Sequence, residues 1–128
     1  MGARVNFVFK TELDKPNIVL YSHWGETTWR FDLAMAIERA NSRLKLGDVS
    51  YATRIMISSL IGNDWESETG FGIYLLTDEE VSEGMYDFPV EIDMTTQMVS
   101  DSGNWHSFES FREYHLEEIP ANHSFDNE

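Results

Sequence analysis

The densest chemistry in this sequence lies between Tyr21 and Arg30, where the apolar run Ile18-Val19-Leu20 ends in Tyr21-Ser22-His23-Trp24-Gly25. A phenol, an imidazole and an indole gathered where a strand gives way to a helix supply stacking faces and polar tips together. Gly25 frees the backbone to turn or to approach a ligand closely. Thr27 and Thr28 stand where the next helix opens its unpaired N–H groups and the positive end of its dipole, with Arg30 close by. A pocket built here stacks a planar ligand and holds its anionic group at the helix end. The competing reading is packing, in which Trp24 and Trp29 anchor the helix on a sheet and His23 is an edge histidine with a satisfied partner. A catalytic dyad is excluded while the strand persists. Tyr21 and His23 share one face, Ser22 and Trp24 the other, so Ser22 and His23 point apart.

A second constellation is Asn63-Asp64-Trp65-Glu66-Ser67-Glu68-Thr69-Gly70. Carboxylates at Asp64, Glu66 and Glu68 resemble the opening of a calcium loop, but the EF-hand register fails. With Asp64 as its first position, Thr69 falls where glycine is required and Leu75 where the bidentate Glu belongs. The segment reads as a solvated acidic loop between a helix and a strand. Trp65 adds a protein-contact reading, because an indole on an acidic loop suits an interface.

Other chemistry is thin. There is no glycine-rich phosphate loop with lysine, no GxSxG elbow and no HExxH. The four histidines, His23, His106, His115 and His123, are widely spaced, and the chain has no cysteine, so no metal site and no cofactor are expected. His106 follows Trp105 in a Gly-Asn-Trp-His turn, where it either faces a pocket or packs at the start of a helix. Asp93 reads as a solvent-facing strand residue. Glu91 and Asp93 serve acid–base work only if one pKa is raised.

The elements that position these groups follow from composition and periodicity. The chain has 128 residues, 41% hydrophobic and 13% aromatic, which suits one globular domain with a real core. No apolar run approaches the roughly 20 residues of a bilayer span, and residues 1–10 lack the layout of a secretory signal. A soluble cytoplasmic domain is expected. Charge is lopsided. Residues 1–62 hold eight Lys/Arg and six Asp/Glu, whereas residues 63–128 hold one and seventeen, so +2 and −16 make up the net −14. Such a half is unsuited to nucleic acid or an anionic membrane. It serves solubility, imitates nucleic acid or docks on a basic partner, or binds metal.

Val5, Phe7 and Phe9 alternate as one face of a strand, and Leu13 to Asn17 supply a turn into a second strand over Ile18 to Tyr21. Trp29, Leu33, Ala36, Ile37, Ala40 and Leu44 recur at helical spacing until Gly47. A second helix, capped by Asp48 or Ser50, runs from Tyr51 to Gly62. A strand over Phe71 to Leu76 is followed by an acidic connection from Asp78 to Asp87. A half-buried strand then carries Val90, Ile92 and Met94, and Ser107 starts a short helix with Phe108, Phe111 and His115 on one side. The expected core is Val5, Phe7, Ile18, Leu20, Leu33, Ile37, Ile55, Ile73 and Ile92. The order ββααββα predicts a single α+β domain over residues 1–120, with a largely antiparallel sheet packed by two or three helices. Residues 121–128 read as a frayed acidic tail.

The run PNIVLYSHWGETTWRFDLAMAIERA, continued by SYATRIMISSLIGNDWESETGFGIY, resembles small proteins of bacteriophages and actinobacterial mobile elements to which no activity is assigned. Those pair a strand ending in Tyr-Ser-His-Trp-Gly with two helices, the second ending near SLIG. The likeness covers about residues 4–76 and carries over no functional residue. What it implies is context: a phage or prophage accessory protein in the host cytoplasm, where binding a host factor is commoner than metabolic catalysis. The leading expectation is therefore a binding protein that docks on a host protein with a basic surface, through its acidic half and exposed aromatics. The alternatives are a binder of a small planar or anionic, nucleotide-like ligand at Tyr21, His23, Trp24 and Arg30, and a small hydrolase, which lacks a nucleophile–base pair.

Overall fold

The sheet is organised around its first strand. In the computed structural model, which describes residues 4–23, 28–84 and 89–117, β1 (Val5–Lys10) pairs antiparallel with β2 (Asn17–Ser22) through the expected hairpin. On its other side β1 pairs parallel with β4 (Pro89–Asp93). Strand β3 (Phe71–Leu76) flanks β2, while β5 (Met98–Asp101) and β6 (Asn104–Ser107) extend the sheet beyond β4. The order is β3-β2-β1-β4-β5-β6, antiparallel except at the centre.

Among the described residues five α-helices accompany the sheet: α1 (Trp29–Arg39), α2 (Asn41–Lys45), α3 (Val49–Ile61), α4 (Asp78–Ser82) and α5 (Phe108–Leu116). Val5, Phe7 and Phe9, with Leu20, Val90, Ile92 and Val99, turn one sheet face to α1, α3 and α5 in the main core. Trp29 of α1 stacks on Phe111 of α5, ring centroids 6.1 Å apart, which locks two helices over that face. On the opposite face Val8, Val19 and Leu76 form a smaller cluster with Tyr74 and with Val81 of α4. Among the described residues no helix is long and apolar enough to cross a membrane.

The expected order ββααββα gives way, among the described residues, to six strands and five helices, and four local expectations change with it. The helix from Trp29 to Leu44 breaks at Ala40, ahead of Asn41 and Ser42, whose side chains compete for backbone hydrogen bonds. The acidic connection contains α4, closed by a capping box in which Thr77 and Glu80 satisfy each other's backbone N–H groups. The Gly-Asn-Trp-His turn is instead the start of β6, reached through Ser102 and Gly103, both with positive φ as a tight two-residue hairpin demands. Ile73 leaves the core: it is 58% exposed because β3 is an edge strand overrunning its helical cover. Residues 121–128 lie outside the described residues.

Candidate functional site

The opening motif divides. Tyr21 and His23 meet on one face, as their spacing requires, and the Tyr21 hydroxyl lies 3.0 Å from His23 Nδ1. The His23 backbone N–H donates to the Gly70 carbonyl at 2.8 Å, so this strand end is tied to the residue before β3. Trp24, Gly25 and Thr27 lie outside the described residues. Thr28 is the N-cap position of α1, but its hydroxyl donates to the Asp32 carboxylate at 2.8 Å rather than capping a backbone N–H.

Arg30 does not join Tyr21 and His23. It reaches across to β5, where Nε and an amino group hold both oxygens of Asp101 at 2.7 and 2.9 Å. Its guanidinium also lies over the Trp29 ring, 4.6 Å from the centroid. The pair forms the floor of a cleft of about 560 Å³, lined also by His106, Ser110, Tyr114 and His115. The hydrogen bonds from Arg30 hold the Asp101 carboxyl below its usual range, against partial desolvation, with Ser102 and the His115 charge adding to the effect. This cleft offers two imidazoles, a phenol and a hydroxyl around a fixed ion pair, chemistry suited to a small anionic or planar molecule. The sequence pointed to Arg30 and left His106 open; it missed the rest. The visible signal is the helical spacing that puts Ser110 and Tyr114, and Phe111 and His115, on neighbouring turns of α5.

Glu91 and Asp93 line a separate depression with Lys10 and Asp78. Asp93 is only partly exposed. Burial opposes ionisation of its carboxyl, but hydrogen bonds from Thr95 and Thr96 win and hold it below the usual range. Acid–base work requires a shift in the other direction. Asp93 is a turn-forming residue. Among the described residues no group of three or more His, Asp or Glu is arranged to hold a metal ion.

The acidic loop gives the clearest surface. Gly62 has a positive φ of 65° and ends α3, and a short 3-10 turn (Gly62–Asp64) leads out to Trp65, which is 56% exposed. Asp64, Glu66 and Glu68 are exposed beside it, and none forms an ion pair within the described residues. Trp65 is also one rim of a groove of about 640 Å³ between α3 and the β2–β3 edge, lined by Ile18, Val49, Thr53, Ile57 and Ile73. Elsewhere, folding consumes part of the charge asymmetry: Lys10 pairs with Asp78 at 2.7 Å, as Arg30 does with Asp101. The loop carboxylates keep theirs.

No protein-family model, curated protein or solved structure matches this chain.

Proposed function

We propose that this is a binding protein that docks on a basic protein surface through the Trp65 loop and the apolar groove beside it. One observation carries the reading: a half-exposed indole stands beside three carboxylates that form no ion pair among the described residues, at the mouth of a largely apolar groove. An aromatic anchor beside an apolar recess, rimmed by charge, is the arrangement from which protein interfaces draw most of their binding energy. The carboxylates select for Lys and Arg on the partner and speed encounter. In the phage-type setting implied by the sequence resemblance, that partner is a host protein. The test is capture from cell lysate by the intact chain and by Trp65→Ala, with mass spectrometry of protein and small-molecule fractions. A basic protein retained by the first and lost by the second supports the reading; equal retention by both removes it.

The small-ligand alternative moves from Tyr21 and His23 to the Arg30 cleft, because that is where Arg30, His106, Tyr114 and His115 face one space. A small molecule recovered with the intact chain and lost from His106→Ala favours this second reading.

A further inference from the structure

The β3 edge has the backbone, the side chains and the charge of a strand-acceptor site. His23 and Gly70 form a hydrogen-bonded pair, and the same register continues through Tyr21–Gly72 and Val19–Tyr74. Antiparallel ladders alternate, so Gly72, Tyr74 and Leu76 aim their backbone groups at β2, while Phe71, Ile73 and Leu75 aim theirs outward. Strand β3 ends the sheet, and no described strand lies beyond it. It also lacks the usual protection of an edge. FGIYLL contains no Lys and no Pro, and its six residues pair with β2 in unbroken register, so no bulge twists the edge away.

The side chains above that edge are equally uncovered. Ile73 and Leu75 are 58% and 62% exposed on the helix-facing side, and Ile73 opens directly into the Trp65 groove. Within the same groove Thr53 is 4% exposed, yet its hydroxyl has no hydrogen-bond partner. A buried hydroxyl left unpaired is costly and suits a site that receives a polar group from outside.

Charge decides the occupant. Asp64, Glu66 and Glu68 precede β3, and Glu79 and Glu80 follow it in α4, beside an Asp78 whose charge Lys10 already pairs. A second copy pairing antiparallel brings the acidic loop of one chain beside the acidic helix of the other. Pairing parallel sets like on like at both ends. Both arrangements are repulsive. A segment with apolar residues at alternate positions and Lys or Arg at both ends meets carboxylates at each end, while Glu12 and Arg54 on the groove wall between them carry opposite charges.

We propose that β3 takes up such a segment as an added strand: an extended, basic-flanked peptide whose main chain pairs with Phe71, Ile73 and Leu75 and whose apolar side chains cover Ile73, Leu75 and Trp65. This rests on the docking reading and gives it a mode. The probe is a synthetic peptide in which Ile and Thr alternate between Lys-Arg ends, titrated calorimetrically against the intact chain at low ionic strength. Two further versions are N-methylated, one at the amides that face β3 and one at those that face away. Methylation on the β3 side is expected to weaken binding at least ~10-fold, from the loss of main-chain hydrogen bonds, and methylation on the far side to leave it unchanged. If both methylated peptides bind as well as the parent, while Trp65→Ala still weakens all three, strand addition fails and the docking reading stands. If no version binds, strand addition of a basic-flanked segment fails, and the docking reading stands or falls on the lysate capture. Sedimentation of the chain alone as a dimer that Ile73→Lys dissociates would overturn the choice of occupant in favour of a second copy.

Discussion

The Arg30 guanidinium holds the Asp101 carboxylate by two hydrogen bonds, 2.7 and 2.9 Å long, and so ties the start of α1 to β5 across the sheet face. Two residues 71 positions apart are thereby fixed in one geometry. Because Asp101 is largely buried and Arg30 about two-fifths exposed, the pair ranks between a surface bridge and a buried one. Asp101→Asn is expected to cost about 1–2 kcal/mol at neutral pH. The sign of its pH dependence follows from the direction of the shift. The folded carboxyl titrates below the ordinary 3.8, so its contribution is complete above that value and is lost as pH falls through and below it. Urea unfolding of both proteins between neutral and strongly acidic pH should show the two stability curves converging at the acid end.

Ile37 and Ile73 separate core from edge. Ile37 is 2% exposed in the main core, and Ile37→Ala is expected to cost about 2–5 kcal/mol through lost burial and a residual cavity. Ile73→Ala should cost less than about 1 kcal/mol, since more than half of that side chain already meets solvent. Chemical denaturation of the two variants reads the contrast directly. Equal losses would place Ile73 back among the core residues.

Thr53 is the place where the free protein can be made more stable. Its hydroxyl is buried and unpartnered, and valine keeps both the shape and the branching at Cβ. Thr53→Val is expected to raise stability by about 1 kcal/mol, visible as a higher urea midpoint with an unchanged slope. A destabilised variant would show that the hydroxyl is satisfied in solution.

Periodicity carried the reading of this chain where burial was one-sided. Val5, Phe7 and Leu20, and Leu33 and Ile37, lie in the core where alternation and helical spacing put them. Ile73 did not follow, because a strand's pattern records its two faces but not whether it ends a sheet, and the exposure of β3 depends on pairings distant in sequence. The parallel contact between β1 and β4 was invisible for the same reason. The β5–β6 hairpin is missed in the sequence reading, which puts the turn at Gly103-Asn104-Trp105-His106, whereas Ser102 and Gly103 make the turn and Trp105 and His106 are strand. For the sites, Tyr21 and His23 were correctly put on one face. Arg30 was drawn to Asp101, a partner that local spacing has no means of naming.

Tyr21 and His23 form a local pair, and a packing role for that pair makes a definite prediction about stability. The 3.0 Å contact and the partial burial of both rings predict that His23→Ala costs about 0.5–1.5 kcal/mol. Tyr21→Phe should cost a similar amount, and the double variant should cost less than the sum. Thermal or urea unfolding of the three variants checks this. Additive losses would mean that the contact contributes nothing, and loss of partner binding without loss of stability would return His23 to the site.

Salt distinguishes an acidic docking face from a merely solubilising one. Encounter between opposite charges is accelerated at low ionic strength, and the acceleration fades as the screening length shrinks to about 8 Å near physiological salt. Asp64, Glu66 and Glu68 are exposed and unpaired within the described residues, so reversing all three to Lys removes few native contacts and should leave the unfolding midpoint nearly unchanged. Against a basic partner the reversal should slow association about tenfold or more at low salt, with a much smaller effect on dissociation. The rates of parent and variant should converge as salt is raised, because screening removes the term that the reversal inverts. Stopped-flow association across a salt series measures this, with Trp65→Ala as the complementary variant. That change deletes an anchor rather than a charge, so its effect should fall on dissociation and persist at every ionic strength. An association rate indifferent to both salt and charge reversal would leave the carboxylates as solubilising groups only.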